Sequence, residues 1–342
     1  MAGDAIPQLL DQIEKLPDGT SKVDLLVVSN GGDPTVAWRA MSLLRERMEH
    51  VAVLVPQAAF SAATMLAMGA DEIVMHPNGN LGPVDPQIHV NKPGGDGQRF
   101  GFQDLAGFLD FAKKEVGLSD QEQLRSMFDV FCKEVGAVPV GVAARASSLT
   151  QTMGEKLLRM HMKGDEAAQR ATTIAEKLNR AYFHHGYPVS RKEAKSINLQ
   201  IAPECKLVED LMWKIWLDIE SDLKARVPFS PIYELMKSNQ ASKLLQPRQS
   251  KLPNVGGPAV TQQIIQNIQT TTAKLATDLI REAIEVSSVT IDPVDFEYVA
   301  AVMESTRLAS KHVLRGKIVS CRMPDLNIQI NAINTSAGWE SA

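Results

Sequence analysis

Short apolar strands alternate with helical patterns over residues 23–75, and this alternation constrains the fold more than any other feature. Apolar runs at 23–28, 51–55 and 72–75 predict strands, and residues 34–48 and 62–70 carry helical periodicity. Consecutive strands joined through helices run parallel, and the helices cover the sheet. The sequence therefore predicts an α/β fold with a parallel sheet.

Two turns in this region carry residues suited to acyl-transfer chemistry. The first strand runs into Gly31-Gly32, and the second ends at a small-residue elbow that places Ser61 just before a helix. A glycine pair allows backbone N–H groups to point out of a turn, and a helix N-terminus stabilises negative charge. The pattern is consistent with a nucleophile at Ser61, although a simple helix N-cap is the alternative reading.

Composition narrows the classes of partner. The chain has 342 residues and a net charge of −4, which gives no reason to expect nucleic acid as a partner. No apolar run has the length of a membrane span, and the first residues lack the apolar core of a secretory signal. Three widely spaced cysteines fit a reducing compartment and give no metal-binding spacing. We expect a cytoplasmic protein without cofactor or metal.

Several motifs together resemble a known group of proteins. The motifs are Gly31-Gly32, the Phe60–Ala63 elbow, the run ADEIVM at 70–75, LGPVDPQ at 81–87, and YFHHGYPVSRKEAKSINL at 182–199. This set resembles the Clp-protease/crotonase superfamily, and within it the group that joins signal peptide peptidase A with the serine dehydrogenase proteinases. The resemblance implies that Ser61 is the nucleophile and that Gly32, with Gly31, and the N–H of Ala62 form the oxyanion hole.

The resemblance also implies a fold and a division of the chain. We expect a Clp/crotonase-like spiral of ββα units over residues 1–217, although the strand that normally precedes the first helix is absent. Residues 218–258 are rich in proline and suggest a linker or arm. Residues 259–342 are expected to be a mainly helical extension, with helices at 260–286 and 295–313 and one or two strands at the end, and oligomerisation is one role open to it.

The general base is left open by the sequence. When the chain is aligned with Clp-type enzymes, Val84 falls at the position of the catalytic histidine and Gly186 at that of the aspartate. His76 and His89 lie out of register, and we expect them to be surface histidines or histidines satisfied by local hydrogen bonds. Signal peptide peptidases use a lysine, and here Arg145 falls near that position, where it would grip a substrate. The candidates for the base are His185, which titrates near neutral pH, and the lysines Lys156 and Lys163, which would need desolvation.

The resulting expectation is a serine peptidase that binds peptide or protein substrates as extended strands and assembles as a homo-oligomer. Two alternatives stay open at this point. One is a catalytically inactive Clp-fold scaffold or partner-binding subunit, suggested by the missing Clp-type histidine, by Arg145 near the lysine position and by the missing first strand. The other is a crotonase-type acyl-CoA enzyme, because paired oxyanion donors serve that chemistry equally well.

Overall fold

The computed structural model describes residues 1–90, 98–182, 184–245, 289–323 and 327–342. The chain divides into two compact units, Met1–Ile219 with Glu304–Leu308 and Glu220–Met303 with Ala309–Ala342. The domain limits that the sequence suggests at 217 and 258 stay a prediction.

The first unit contains short strands and most of the helices. Its strands are β1 (Lys22–Leu26), β2 (His50–Val55), β3 (Ala58–Ala59), β4 (Glu72–Met75), β5 (Asn80–Leu81), β6 (Gln87–Val90), β7 (Gln98–Gly101) and β8 (Val189–Ser190). Its helices are α1 (Ala5–Glu14), α2 (Pro34–Arg45), α3 (Ala62–Met68), α4 (Phe102–Lys114), α5 (Gln121–Val135), α6 (Ala137–Leu158), α7 (Ala167–Arg180) and α8 (Arg191–Ser196). Helix α9 (Lys206–Leu223) runs across the boundary between the units.

A parallel sheet in the order β1-β2-β4 forms the base of the first unit. Leu26 pairs with Leu54, and Val55 pairs with Met75. The central strand β2 is the most apolar of the three, and Val51, Val53 and Val55 are fully buried. A strand that is covered on both faces needs such a continuous apolar run. The predicted parallel α/β layer is confirmed, whereas the spiral arrangement of ββα units stays a prediction.

A second, smaller sheet brings three distant segments together. Strand β3 pairs with β5 in parallel, and β5 pairs with β8 antiparallel. Strand β3 ends two residues before Ser61, β5 ends four residues before Asp85, and β8 begins four residues after His185. The pairing of these short strands therefore places the three side chains at one end of the sheet.

Strands β6 and β7 form an antiparallel hairpin. Gln87 pairs with Gly101 and Val90 with Gln98, so residues 98–101 form a strand. Residues 91–97 lie outside the described part of the chain. The hairpin follows Asp85 directly and leads into α4.

The second unit corrects the prediction of a mainly helical extension. Its described residues form two short helices, α10 (Pro231–Lys237) and α11 (Ala241–Leu245), and the strands β9 (Val289–Thr290), β10 (Val294–Glu304), β11 (Ala309–Arg322) and β12 (Ile328–Ser341). The three long strands form a sheet in the order β10-β11-β12, and β9 pairs with β11. The predicted helix at 260–286 lies outside the described residues.

The helix predicted at 295–313 is wrong because the segment alternates with a period of two. Phe296 is buried and belongs to a core with Leu235, Leu244, Ile291 and Ile318. The intervening Asp295 and Glu297 are exposed and pair with Lys317 and Arg315 on β11. Alternation of buried aromatic and exposed charged residues is typical of a strand with one covered face. The predicted strands near the end of the chain are confirmed as part of β11 and β12.

Candidate active site

Ser61 occupies a sharp turn between β3 and α3. Its backbone has φ 53° and ψ −117°, a conformation that residues with a Cβ rarely adopt. Ser61 is the N-cap residue of α3 by position, but its side chain makes no capping hydrogen bond to the helix. A serine held in a strained turn before a helix, with its hydroxyl unused by the helix, is the arrangement of a nucleophile elbow.

Thr64 ties the elbow to the segment that leads to Asp85. Its fully buried hydroxyl lies 2.6 Å from the carbonyl oxygen of Ala59 and accepts the Gly82 N–H at 2.9 Å. These bonds join the end of β3, the first turn of α3 and the residue after β5. The position of Ser61 relative to the 82–85 segment is therefore set by backbone groups rather than by flexible side chains.

The Gly31-Gly32 turn packs directly on the elbow. A Cβ on Gly31 would come within 2.7 Å of the Ser61 Cβ, and φ is +105° at Gly31 and +141° at Gly32. A side chain is excluded at Gly31 by space and by backbone conformation alike. At Gly32 the backbone of Met1 lies close by, so a Cβ there would collide with the Met1 carbonyl oxygen.

The three predicted oxyanion donors do not have the same environment. The Gly31 N–H donates to the Ser29 hydroxyl at 3.1 Å, so it is engaged within its own turn. Within the described chain, the N–H groups of Gly32 and Ala62 have no acceptor. Backbone N–H groups that are not engaged within the protein are what an oxyanion hole requires.

His185 is held by a buried carboxylate. Its Nδ1 lies 2.8 Å from Oδ1 of Asp85, whose side chain is 8% exposed. The second carboxylate oxygen of Asp85 accepts a hydrogen bond from Nε2 of Gln87 at 2.8 Å. The hydrogen bond to Asp85 raises the pKa of His185 and outweighs partial burial, which acts to lower it. Because the carboxylate accepts from Nδ1–H, Nε2 of the neutral ring is left as the basic nitrogen.

One cavity of about 220 Å³ joins these groups. Ser61 and His185 line it together with Gly32 from the glycine turn. The remaining lining residues are Asn30, Pro34, Met65, Val84, Pro86, Gln87 and Thr150. The structure thus brings together three residues that the sequence singled out separately, and the cavity offers space for a reacting group between them.

The other residues that the sequence singled out for catalysis or substrate binding lie outside the cavity. The Lys156 ammonium lies 6.0 Å from the centroid of the Trp38 ring, and neither Lys156 nor the exposed Arg145 lines the cavity. His76 stacks on Trp213 at 4.9 Å and accepts the Asn78 N–H, so it is a satisfied histidine as predicted. Burial lowers the pKa of His76.

Asp85 is the site residue that the sequence analysis missed. It lies 100 positions before His185, and spacing along the chain cannot reveal this pairing. A signal was present in the apolar run LGPVDPQ, where a lone acidic residue follows four residues that are all buried. A charge in such a position needs a partner, so Asp85 could have been predicted to pair with a basic side chain.

Comparison with known proteins supports the resemblance for the first part of the chain. A family model described as ClpP-like SDH-type serine proteinase matches residues 4–95. The matched segment contains the glycine turn, the Ser61 elbow and Asp85, but not His185. The relationship of this segment to the Clp-like serine dehydrogenase proteinases is thereby confirmed.

Two curated relatives come from Methanocaldococcus jannaschii, the uncharacterized proteins MJ1495 and MJ0137. Both are 26% identical to this chain, over 180 and 179 residues that make up 52% of it. The alignments cover 51% and 53% of the relatives, so the chain spans about half the length of the curated relatives it matches.

Among solved structures, a mutant of the membrane-bound stomatin-specific protease 1510-N aligns with 60% of this chain and 74% of its own. Its TM-score of 0.37 and identity of 12% are too low to support an argument. Among the described helices of the present chain, none combines the length and the apolarity needed to cross a bilayer.

Proposed function

We propose that this chain is a serine peptidase in which Ser61 is the nucleophile, His185 the general base and Asp85 the residue that orients the base. The observation that carries the proposal is the shared cavity, which is lined by a serine in a strained elbow and by a histidine bound to a buried carboxylate. A serine hydroxyl becomes an effective nucleophile when such a base takes its proton.

The proposed reaction gives each of these groups a role. Ser61 Oγ attacks the carbonyl carbon of a peptide bond, and its proton passes to Nε2 of His185. The tetrahedral oxyanion receives hydrogen bonds from the N–H groups of Gly32 and Ala62. Collapse of the intermediate expels the amine, which takes the proton from His185 and leaves an acyl group on Ser61. Water, activated by His185, then releases the acid.

Asp85 acts in two ways in this scheme. It holds the ring of His185 with Nδ1 protonated, so that Nε2 can accept a proton, and it stabilises the imidazolium that forms during attack. Gln87 supports this role because it donates to the carboxylate oxygen that His185 does not use. We assign Gln87 as a positioning residue, since it contacts the orienting acid rather than the reacting atoms.

The family match favours peptides or proteins as substrates over other acyl compounds. The missing Clp-type histidine was one of three grounds for the alternative of an inactive scaffold, and the presence of His185 in the cavity speaks against that ground. No observation favours crotonase-type chemistry, for which an elbow serine and a paired histidine have no role. The spiral fold, homo-oligomer formation and cytoplasmic location stay predictions.

Activity-based labelling tests the proposal. A fluorophosphonate should label the wild-type chain at one site, which peptide mapping should place at Ser61, and Ser61→Ala should not be labelled. The matched control is Ser148→Ala, which removes an exposed serine of α6 and should be labelled like the wild type. A wild-type chain that resists labelling while folded would refute the proposal and favour the scaffold.

The base is tested with the same probe. His185→Ala should slow labelling about 100-fold or more, as expected for loss of a general base. His89→Ala is the control, because His89 is an exposed histidine on β6 that does not line the cavity. Equal labelling rates for His185→Ala and the wild type would exclude His185 as the base.

A further inference from the structure

Thr150 presents a buried hydroxyl without a partner to the cavity. The residue is 2% exposed and lines the cavity from helix α6. Within the described chain its hydroxyl makes no hydrogen bond, and it is not one of the polar atoms that are sealed inside the protein. The small exposed part of Thr150 therefore includes the hydroxyl oxygen, which opens into the cavity.

Neighbouring residues of the same helix behave differently. The Ser148 hydroxyl donates to the carbonyl of Ala144 at 3.1 Å, and the Thr152 hydroxyl donates to the carbonyl of Ser148 at 2.9 Å. This bond to the fourth preceding residue is the usual way for a helical serine or threonine to satisfy its hydroxyl. Thr150 does not make this bond, so its hydroxyl stays available to a ligand that enters the cavity.

The most buried part of the cavity wall is formed by three residues. Met65 is 1% exposed, Val84 is 2% exposed and Thr150 is 2% exposed, whereas Asn30 and Gly32 are exposed. Met65 lies one helical turn after Ser61, so the inner wall is close to the proposed nucleophile. This wall is apolar except for the Thr150 hydroxyl, and it matches a short side chain that carries methyl groups and one hydrogen-bonding group.

We propose that Thr150 determines substrate specificity by forming a hydrogen bond to the side chain of the residue whose carbonyl Ser61 attacks. The inference rests on the proposed function, and it adds the substrate class: a peptide with threonine, or a similar short hydroxylated residue, at that position. Threonine and valine have the same shape, so preference for threonine over valine isolates the hydrogen bond from the fit.

The test uses two peptidyl diphenyl phosphonates that differ only in a threonine or valine side chain at the reactive residue. Ser61 Oγ forms a bond to phosphorus and releases phenol, with the serine proton passing through His185. The wild type should react faster with the threonine compound. In Thr150→Val the preference should fall about 3-fold to 10-fold, the effect of one neutral hydrogen bond. Thr150→Ser keeps the hydroxyl and should keep the preference.

Two controls separate the outcomes. Thr152→Val, which changes an exposed threonine of α6 outside the cavity, should keep the wild-type threonine-to-valine ratio and the wild-type rate of fluorophosphonate labelling. The melting temperature of Thr150→Val should not fall, because the Thr150 hydroxyl makes no bond within the protein. An unchanged threonine-to-valine ratio in Thr150→Val, or a wild type that prefers valine, would overturn the role of Thr150 alone. A wild type that no phosphonate labels would instead overturn the proposed function.

Discussion

Replacing Asp85 with asparagine tests the most specific part of the proposed site. The substitution keeps the shape of the side chain and removes the charge that lies 2.8 Å from Nδ1 of His185. A hydrogen bond to a charged group contributes about 1.5–3 kcal/mol, and 1.36 kcal/mol corresponds to tenfold in rate. We therefore expect kcat/KM to fall about 10-fold to 150-fold. The His185 side chain is 35% exposed, so solvent screening places the expected loss toward the lower end of that range.

The same substitution should also shift the pH dependence of kcat/KM in a defined direction. Catalysis needs neutral His185, and Asp85 raises the pKa of His185. The acid limb of kcat/KM reports this pKa in the free enzyme. In Asp85→Asn the pKa of His185 should be lower, so the acid limb should move to lower pH while the plateau at higher pH falls. The difference between variant and wild type should accordingly shrink as the pH decreases.

The assay is hydrolysis of a fluorogenic peptide across the pH range, with the rate of fluorophosphonate labelling as a second readout. Asp110→Asn is the matched control, because it makes the same chemical change at an exposed carboxylate that pairs with Lys114. The control should leave the plateau and the acid limb unchanged. A plateau within about twofold of the wild type in Asp85→Asn, or an acid limb that moves to higher pH, would refute the reasoning.

Three further predictions concern residues that hold the first unit together. Gly31→Ala should abolish labelling of Ser61 and lower the melting temperature, because its Cβ would come within 2.7 Å of the Ser61 Cβ. Thr64→Val should lower the free energy of unfolding by about 1–3 kcal/mol in urea denaturation, because the buried Gly82 N–H loses its acceptor. The pKa of Asp71 is lowered, since hydrogen bonds from the Val51 N–H and Arg45 outweigh burial. Asp71 therefore contributes stability that is lost as the pH falls through its folded pKa, and Asp71→Asn should flatten the acid side of a stability-against-pH curve.

The sequence predicted the parallel layer well because its central strand β2 is a continuous, buried apolar run and the two neighbouring strands are largely apolar. Strands β2 and β4 were located within one residue of their observed limits, and helix α3 was located from its first residue. A buried parallel strand leaves a strong local signal, since both of its faces must be apolar. The position of Ser61 at the end of such a strand was therefore predictable from the residues around it.

The second unit was harder to predict because its strands contain residues that favour helices. The second half of β10 includes Ala300, Ala301, Met303 and Glu304, which all have high helix propensity. Pairing with β11 and the stacking of Tyr298 on Phe229 at 4.5 Å outweigh that local preference. Propensity is a weak signal, and tertiary packing commonly overrides it.

The pairing of Asp85 with His185 has a physical explanation that sequence register could not provide. Histidine was sought at Val84 and aspartate at Gly186, yet the acid lies one residue after the first position and the histidine one residue before the second. The segment at 84–85 therefore supplies the acid and the segment at 185–186 supplies the histidine, which is the reverse of the Clp-type arrangement. The reaction requires only that the histidine lie between the nucleophile and a buried acid, whichever segment supplies each group. Here the side chain of Asp85 is 8% exposed and absent from the cavity lining, whereas His185 lines the cavity beside Ser61. His185 thus lies between the cavity and Asp85, which is the arrangement that general-base catalysis by His185 requires.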